Sequence, residues 1–207
     1  MPETVDKLAS GDYNIIMNRF IYLFISIKQF KGVRSMPKII ENARGLILDE
    51  AKKQIREQGY AATTVRSVAA KCKVAIGTVY NYFPSKEILI SSFMADDWKI
   101  CMDNISAFPS NDTRKFLYCI HENILTFADK HRDLFEDPDA RRVFTAAFDQ
   151  RNEQLIDSIS FHVLPLCKEE DESDRIFTSR FIAECLLTLT MRNVDFEQMY
   201  RVIRKLL

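Results

Sequence analysis

Seven consecutive residues, Ile76-Gly77-Thr78-Val79-Tyr80-Asn81-Tyr82, place two phenol hydroxyls, a side-chain amide and an aliphatic hydroxyl on one short segment. Read as a helix, the segment turns Val79 inward together with Phe83. Ile76, Gly77, Thr78, Tyr80, Asn81 and Tyr82 are then left for an outside partner. Tyrosine hydroxyls and backbone N–H groups suit phosphate oxygens, while Thr78 and Ile76 can meet base edges or a thymine methyl. The bland reading of the same residues is a helical hairpin with aromatic surface positions. Elsewhere the sequence has no nucleophile elbow, phosphate loop, metal-ligand cluster or paired catalytic carboxylates. The chemistry implied is recognition of a nucleic acid, with no enzyme activity, no metal and no cofactor.

Such a segment needs a scaffold, and the flanking breakers describe one. Ile40, Ala43, Ile47, Ala51 and Ile55 recur at spacings of three and four, which puts them on one helical face. Gly59 is a C-terminal stop, since a residue without Cβ accepts the left-handed conformation. Thr63 or Thr64 can cap a second helix that runs to about Lys71 with Val65, Val68 and Ala69 on its inner face. A tight connection, Cys72-Lys73-Val74-Ala75, leads into the helix from Ile76 to Tyr82, which Pro84 ends. Ser85 caps a fourth helix that reaches about Ile105. Two short helices joined in this way form a helix-turn-helix, here 64–83, whose second helix enters the major groove.

The run GYAATTVRSVAAKCKVAIGTVYNYFPSKEIL resembles, without a gap, the N-terminal domain of the TetR family of one-component regulators. The resemblance spans roughly 39–95, and the remainder resembles the family only in being helical. It implies that Thr64 and Arg66 contact a phosphate and a base or phosphate. It implies that Ala75, Ile76, Gly77 and Thr78 form the turn and the start of the reading helix, where backbone and short side chains approach DNA. Tyr80 and Tyr82 match phosphate or base-edge contacts, Asn81 is placed to reach a base, and Lys86 matches a phosphate-binding lysine. Many members carry a polar pair, often Ser-Lys, where this chain has Ala75-Ile76. The exchange removes a cation and adds an apolar contact, so weaker salt dependence and a thymine-methyl preference are expected.

Beyond Ser85 the expected helices are Thr113 to about Phe135, Arg141 to about His162, Asp174 to Met191 and Phe196 to Leu207, with a loop at 108–112. By resemblance this half binds a small-molecule effector between helices and shifts the chain between two conformers. Candidate pocket residues are Met94, Asp97, Trp98, Met102, Phe116, Cys119, His121 and Phe127, each of which also reads as plain core. Asp97 and His121 need polar partners wherever they are buried. His131 and His162 have no metal-ligand spacing and read as surface or cap residues. Phe181, Ile182, Cys185, Leu186, Leu189, Phe196, Met199 and Ile203, with Leu206, make more apolar face than one small domain covers, and read as a homodimer interface. A dimer would set two reading helices about 34–36 Å apart on a palindromic double-stranded operator.

Composition sets the frame. The chain has 207 residues, 47% of them hydrophobic and 28% charged, with five glycines and six prolines, which favours an all-α protein. The fold class expected is an N-terminal three-helix helix-turn-helix domain, 36–84, followed by a helical effector-binding and dimerisation domain, 85–207. Five scattered cysteines without a Cys-x-x-Cys pair argue against a disulfide framework or zinc site and fit a reducing cytoplasm, where a regulator would sit on the nucleoid. A zero net charge hides an asymmetry: 36–86 holds nine Lys or Arg against four acids, whereas 87–207 holds 15 basic against 22 acidic residues. Only the basic part suits a polyanion. The apolar run Phe20 to Ile27 is too short to span a bilayer, which needs about 20 residues.

Residues 12–31 are rich in Ile, Phe, Asn, Tyr and Lys, as translated AT-rich non-coding DNA would be. Lys31-Gly32-Val33 can be encoded by a purine-rich ribosome-binding sequence ahead of Met36. Residues 1–35 are therefore expected to lie upstream of the true start or to be disordered, or else to form a helical arm. The function these readings favour is a repressor released from its operator by a ligand. The alternative on the same scaffold is a non-inducible structural or nucleoid-type DNA-binding protein, which would spread over many sites.

Overall fold

The computed structural model describes residues 42–207, with the side chains of 143–152 excepted. The expected extension 1–35, the start at Met36 and the core position Ile40 lie outside the described residues. Within them the chain is helical throughout, with no strand: α1 Ala43–Ala62, α2 Val65–Lys71, α3 Ile76–Tyr82, α4 Lys86–Ala107, α5 Thr113–Lys130, α6 Arg132–Glu136, α7 Pro138–Val163, a 3-10 turn Leu164–Leu166, α8 Glu172–Met191 and α9 Phe196–Ile203. Two compact units divide inside α4, between Ala95 and Asp96.

In the first unit Ala43, Ile47, Ala51 and Ile55 are buried along one face of α1. Gly59 takes φ 82° and breaks the helical geometry, after which Tyr60–Ala62 add one more turn. That turn is pinned by the buried Thr63, whose hydroxyl donates to the Gly59 carbonyl at 2.9 Å. Leu89, Ile90 and Phe93 on the first turns of α4 are also buried, and the Lys52 ammonium lies 5.6 Å from the Phe93 ring centre.

In the second unit α7 and α8 form the most extensive helix pair, and α5 packs on α8 and α9. Aspartates begin four of its helices. Asp112 accepts from the Lys115 N–H, Asp137 from Asp139 and Ala140, Asp171 from Ser173 and Asp174, and Asp195 from Gln198. Each satisfies otherwise unpaired N–H groups of a first turn.

Several expected boundaries move. The helix expected from Thr113 to Phe135 breaks at His131 (φ −112°, ψ 14°), whose side chain is drawn into the interior by Asp97. Consequently His131 is a buried cap residue rather than a surface one. The next helix starts at Pro138, three residues ahead of Arg141, because proline has no N–H to lose in a first turn and Asp137 caps it. The last helix ends at Ile203, and turns follow to Leu206.

Candidate nucleic-acid interface

The candidate interface is built on two short helices held by a buried apolar seam. Val65, Val68 and Ala69 of α2 and Val79 and Phe83 around α3 are all buried, with Val68 and Val79 fully so. A capping box fixes the start of α2: Ser67 N–H donates to the Thr64 hydroxyl at 3.0 Å, and Thr64 N–H to the Ser67 hydroxyl at 3.0 Å. Ser67 also donates to the amide oxygen of Gln54 at 2.6 Å, and Gln54 donates to Glu50 at 2.8 Å. Thus the one buried amide of α1 is satisfied while tying α2 to it.

The connection to α3 is tight because Lys73 adopts the left-handed region at φ 56°, and Val74 N–H returns to the Ala69 carbonyl at 3.0 Å. Cys72 sits half-buried behind this turn, 3.5 Å from the Leu46 carbonyl, and burial followed by the Glu50 charge raises its pKa. The turn thiol is a packing group.

With Val79 and Phe83 inward, the helical period decides what faces out. Ala75, Ile76, Gly77, Tyr80, Asn81 and Tyr82 are exposed, and Thr78 is half-buried. Arg66 and the cap Thr64 are exposed at the start of α2. Two exposed lysines outside the expected set, Lys71 and Lys73, flank the turn. Their positive charge beside the reading segment was the available signal.

Lys86 differs from its expected setting. Its ammonium lies 3.6 Å from the Tyr60 ring centre and donates to the Tyr60 carbonyl. The Tyr60 hydroxyl in turn donates to Glu87 at 3.4 Å. Burial works to raise the Glu87 pKa, but hydrogen bonds from Ser85, its own backbone N–H and Tyr60, with the Lys86 charge, hold it below the usual carboxylate value.

This arrangement has close relatives. Residues 47–92 match the family model described as bacterial regulatory proteins, tetR family. That segment is similar to the DNA-binding domain of the TetR family. The chain is 37% identical over 65 residues to the HTH-type transcriptional regulator HbdR of Aromatoleum sp. (strain CIB), 31% of this chain and 28% of that one. It is 41% identical over 56 residues to the HTH-type transcriptional repressor KstR of Rhodococcus jostii (strain RHA1), 27% of this chain and 26% of that one. The chain therefore matches under a third of the length of these relatives. A solved TetR-family transcriptional regulator from Streptomyces coelicolor shares the fold, with a TM-score of 0.50 at 20% identity over 79% of this chain and 94% of that one.

In the second unit, several candidate pocket residues lie in the core. Trp98, Met102, Phe116 and Phe127 are buried, with Trp98 edge-on to Phe127 at 5.1 Å and its indole N–H donating to Ser158 at 3.2 Å. Asp97 is buried and paired with Lys130 at 2.8 Å and His131 at 3.1 Å. His121 Nδ1 is 2.8 Å from the Thr190 hydroxyl, and burial lowers its pKa. Cys119 is half-buried beside Asn123, and Met94 is half-buried on the first-unit part of α4. Asp97 and His121 thus each have a polar partner within the chain.

The expected dimer residues fall into two sets. Ile182 and Leu186 are buried in this chain's own packing, because α8 lies against both α7 and α5 and so spends two faces internally, and Phe196 of α9 is buried against α5, edge-on to Tyr118 at 5.0 Å. Phe181, Cys185 and Leu189 face instead an open groove of about 190 Å³ between α8 and α9, with Met199 and Ile203 on its α9 side beside Val202 and Leu206. Phe177, 70% exposed, stacks on Phe181 at 6.5 Å and prolongs this apolar stripe. No helix among the described residues is long and apolar enough to cross a membrane.

Proposed function

We propose that this chain is a transcriptional regulator that binds double-stranded operator DNA through α2 and α3, as a homodimer whose helical half takes a small-molecule effector. The observation that carries the reading is the division of α3: Val79 is fully buried while Ile76, Tyr80, Asn81 and Tyr82 are exposed together. A helix held by one residue and bare elsewhere suits insertion into a major groove. Arg66, Lys71 and Lys73 add cations for phosphates, with Thr64 and Lys86 at its flanks. Repression, rather than activation, is supported by likeness to the repressor KstR.

A second copy is the proposed occupant of the stripe running through Phe177, Phe181, Cys185 and Leu189. An effector entering near Asp97 or His121 must exchange with Lys130, His131 or Thr190, so it would need polar groups of its own. Selection from a randomised duplex pool tests the DNA reading. The expected result is an enriched palindrome with half-sites about one helical turn apart. Recovery of unrelated sequences at uniform affinity would favour the non-inducible, nucleoid-type alternative.

A further inference from the structure

We infer that Ile76 selects a base pair carrying a pyrimidine 5-methyl group, thymine's, under the first turn of α3. The inference rests on the DNA reading above and names one element of the sequence that reading recognises.

Three consecutive exposed positions, Ala75, Ile76 and Gly77, carry no side-chain donor or acceptor. The other exposed residues, Arg66, Tyr80, Asn81 and Tyr82, and the half-buried Thr78 can all hydrogen-bond. Ile76 is 38% exposed, and its branched side chain has few rotamers, so it presents a fixed apolar surface. Beside it, a Cβ placed on Gly77 would meet nothing within 4 Å. The fold itself does not require the missing side chain, and the gap leaves the Ile76 surface open to a body from outside.

Base edges in the major groove offer donors and acceptors at every pair, and a single apolar feature, the thymine 5-methyl. An aliphatic side chain pressed on a purely polar edge strips water from groups it cannot pair, which costs affinity. Against a methyl it buries apolar surface on both sides. Ile76 therefore discriminates by contact, while the tyrosines and Asn81 discriminate or anchor by hydrogen bonds.

The test uses the full chain and the best duplex from a randomised pool, with thymines replaced singly by uracil, which removes only the methyl. At one position per half-site the replacement should weaken binding by about three- to ten-fold, the scale of one buried methyl contact. The same replacement should change affinity by less than about two-fold in Ile76→Ala, and 5-methylcytosine in place of a cytosine elsewhere should not mimic it. A uracil penalty that persists undiminished in Ile76→Ala, or no sensitive thymine in a duplex bound specifically, overturns the inference and leaves the DNA reading standing. Failure to enrich any duplex overturns both.

Discussion

The Lys86 ammonium rests on the face of the Tyr60 ring, 3.6 Å from its centre, and donates to the carbonyl of the same tyrosine. One side chain thus closes the end of α1 and anchors the start of α4. An ammonium has three donors, so this clasp is compatible with a phosphate contact. Lys86→Met should lower stability by about 1–2 kcal/mol in urea denaturation, through loss of the ring contact and a charged hydrogen bond. It should also reduce the slope of log affinity against log salt by about 1. A stability loss with an unchanged slope would make Lys86 a positioning residue only.

Gly77 should separate stability from binding. It occupies a helical position at which alanine is favoured by about 0.8–1 kcal/mol, and nothing in the chain fills the space of a Cβ. Gly77→Ala should therefore raise the urea midpoint and yet weaken duplex binding, since the added methyl projects into the approach surface. Tighter or equal binding would show that the surface beside Gly77 is not approached.

Asp97 should prove structural first. Its buried carboxylate holds Lys130 and His131 at the junction of α5 and α6. Asp97→Ala strands the buried imidazole and one lysine, and should cost about 2–3 kcal/mol, below the full range for buried pairs because Lys130 is half-exposed. Denaturant unfolding of the variant reads this directly, and a loss under about 0.5 kcal/mol, the scale of ordinary surface changes, would contradict it.

His162 gives stability an acid limb. Burial lowers its pKa from the ordinary 6.5 to about 4. As pH falls, the unfolded chain takes up this proton first, so the contribution is complete above pH 6.5 and lost on the way down to about 4. A full loss amounts to about 3 kcal/mol. His121, lowered by burial as well, acts with the same sign. His162→Gln should flatten the stability profile between pH 6.5 and 4.5, and an unchanged slope would contradict the assignment.

Local chemistry is legible in the sequence. The Gly59 break, the Thr64 cap, the Ser85 cap to Ile88 N–H at 3.2 Å and the inward set Val65, Val68, Ala69, Val79 and Phe83 all follow from propensities and spacing within a few residues. The features that escaped depend on partners distant in sequence. His131 breaks its helix for Asp97, Lys86 is turned onto Tyr60, and Ile182 and Leu186 are claimed by helices packed on either side of α8. An apolar period says that a face is covered, but not by what. That is why the same stripe reads equally as core or as a surface for a second copy.

If the exposed face of α3 reads DNA, fluorescence anisotropy of Asn81→Ala and Tyr82→Ala on the selected duplex will register it. Both side chains are exposed, so circular dichroism should show unchanged melting. Affinity should fall by about 1–3 kcal/mol for the base-reading amide, and Tyr82→Ala should weaken all duplexes nearly alike. Wild-type affinity in both variants, with the fold intact, would contradict the account.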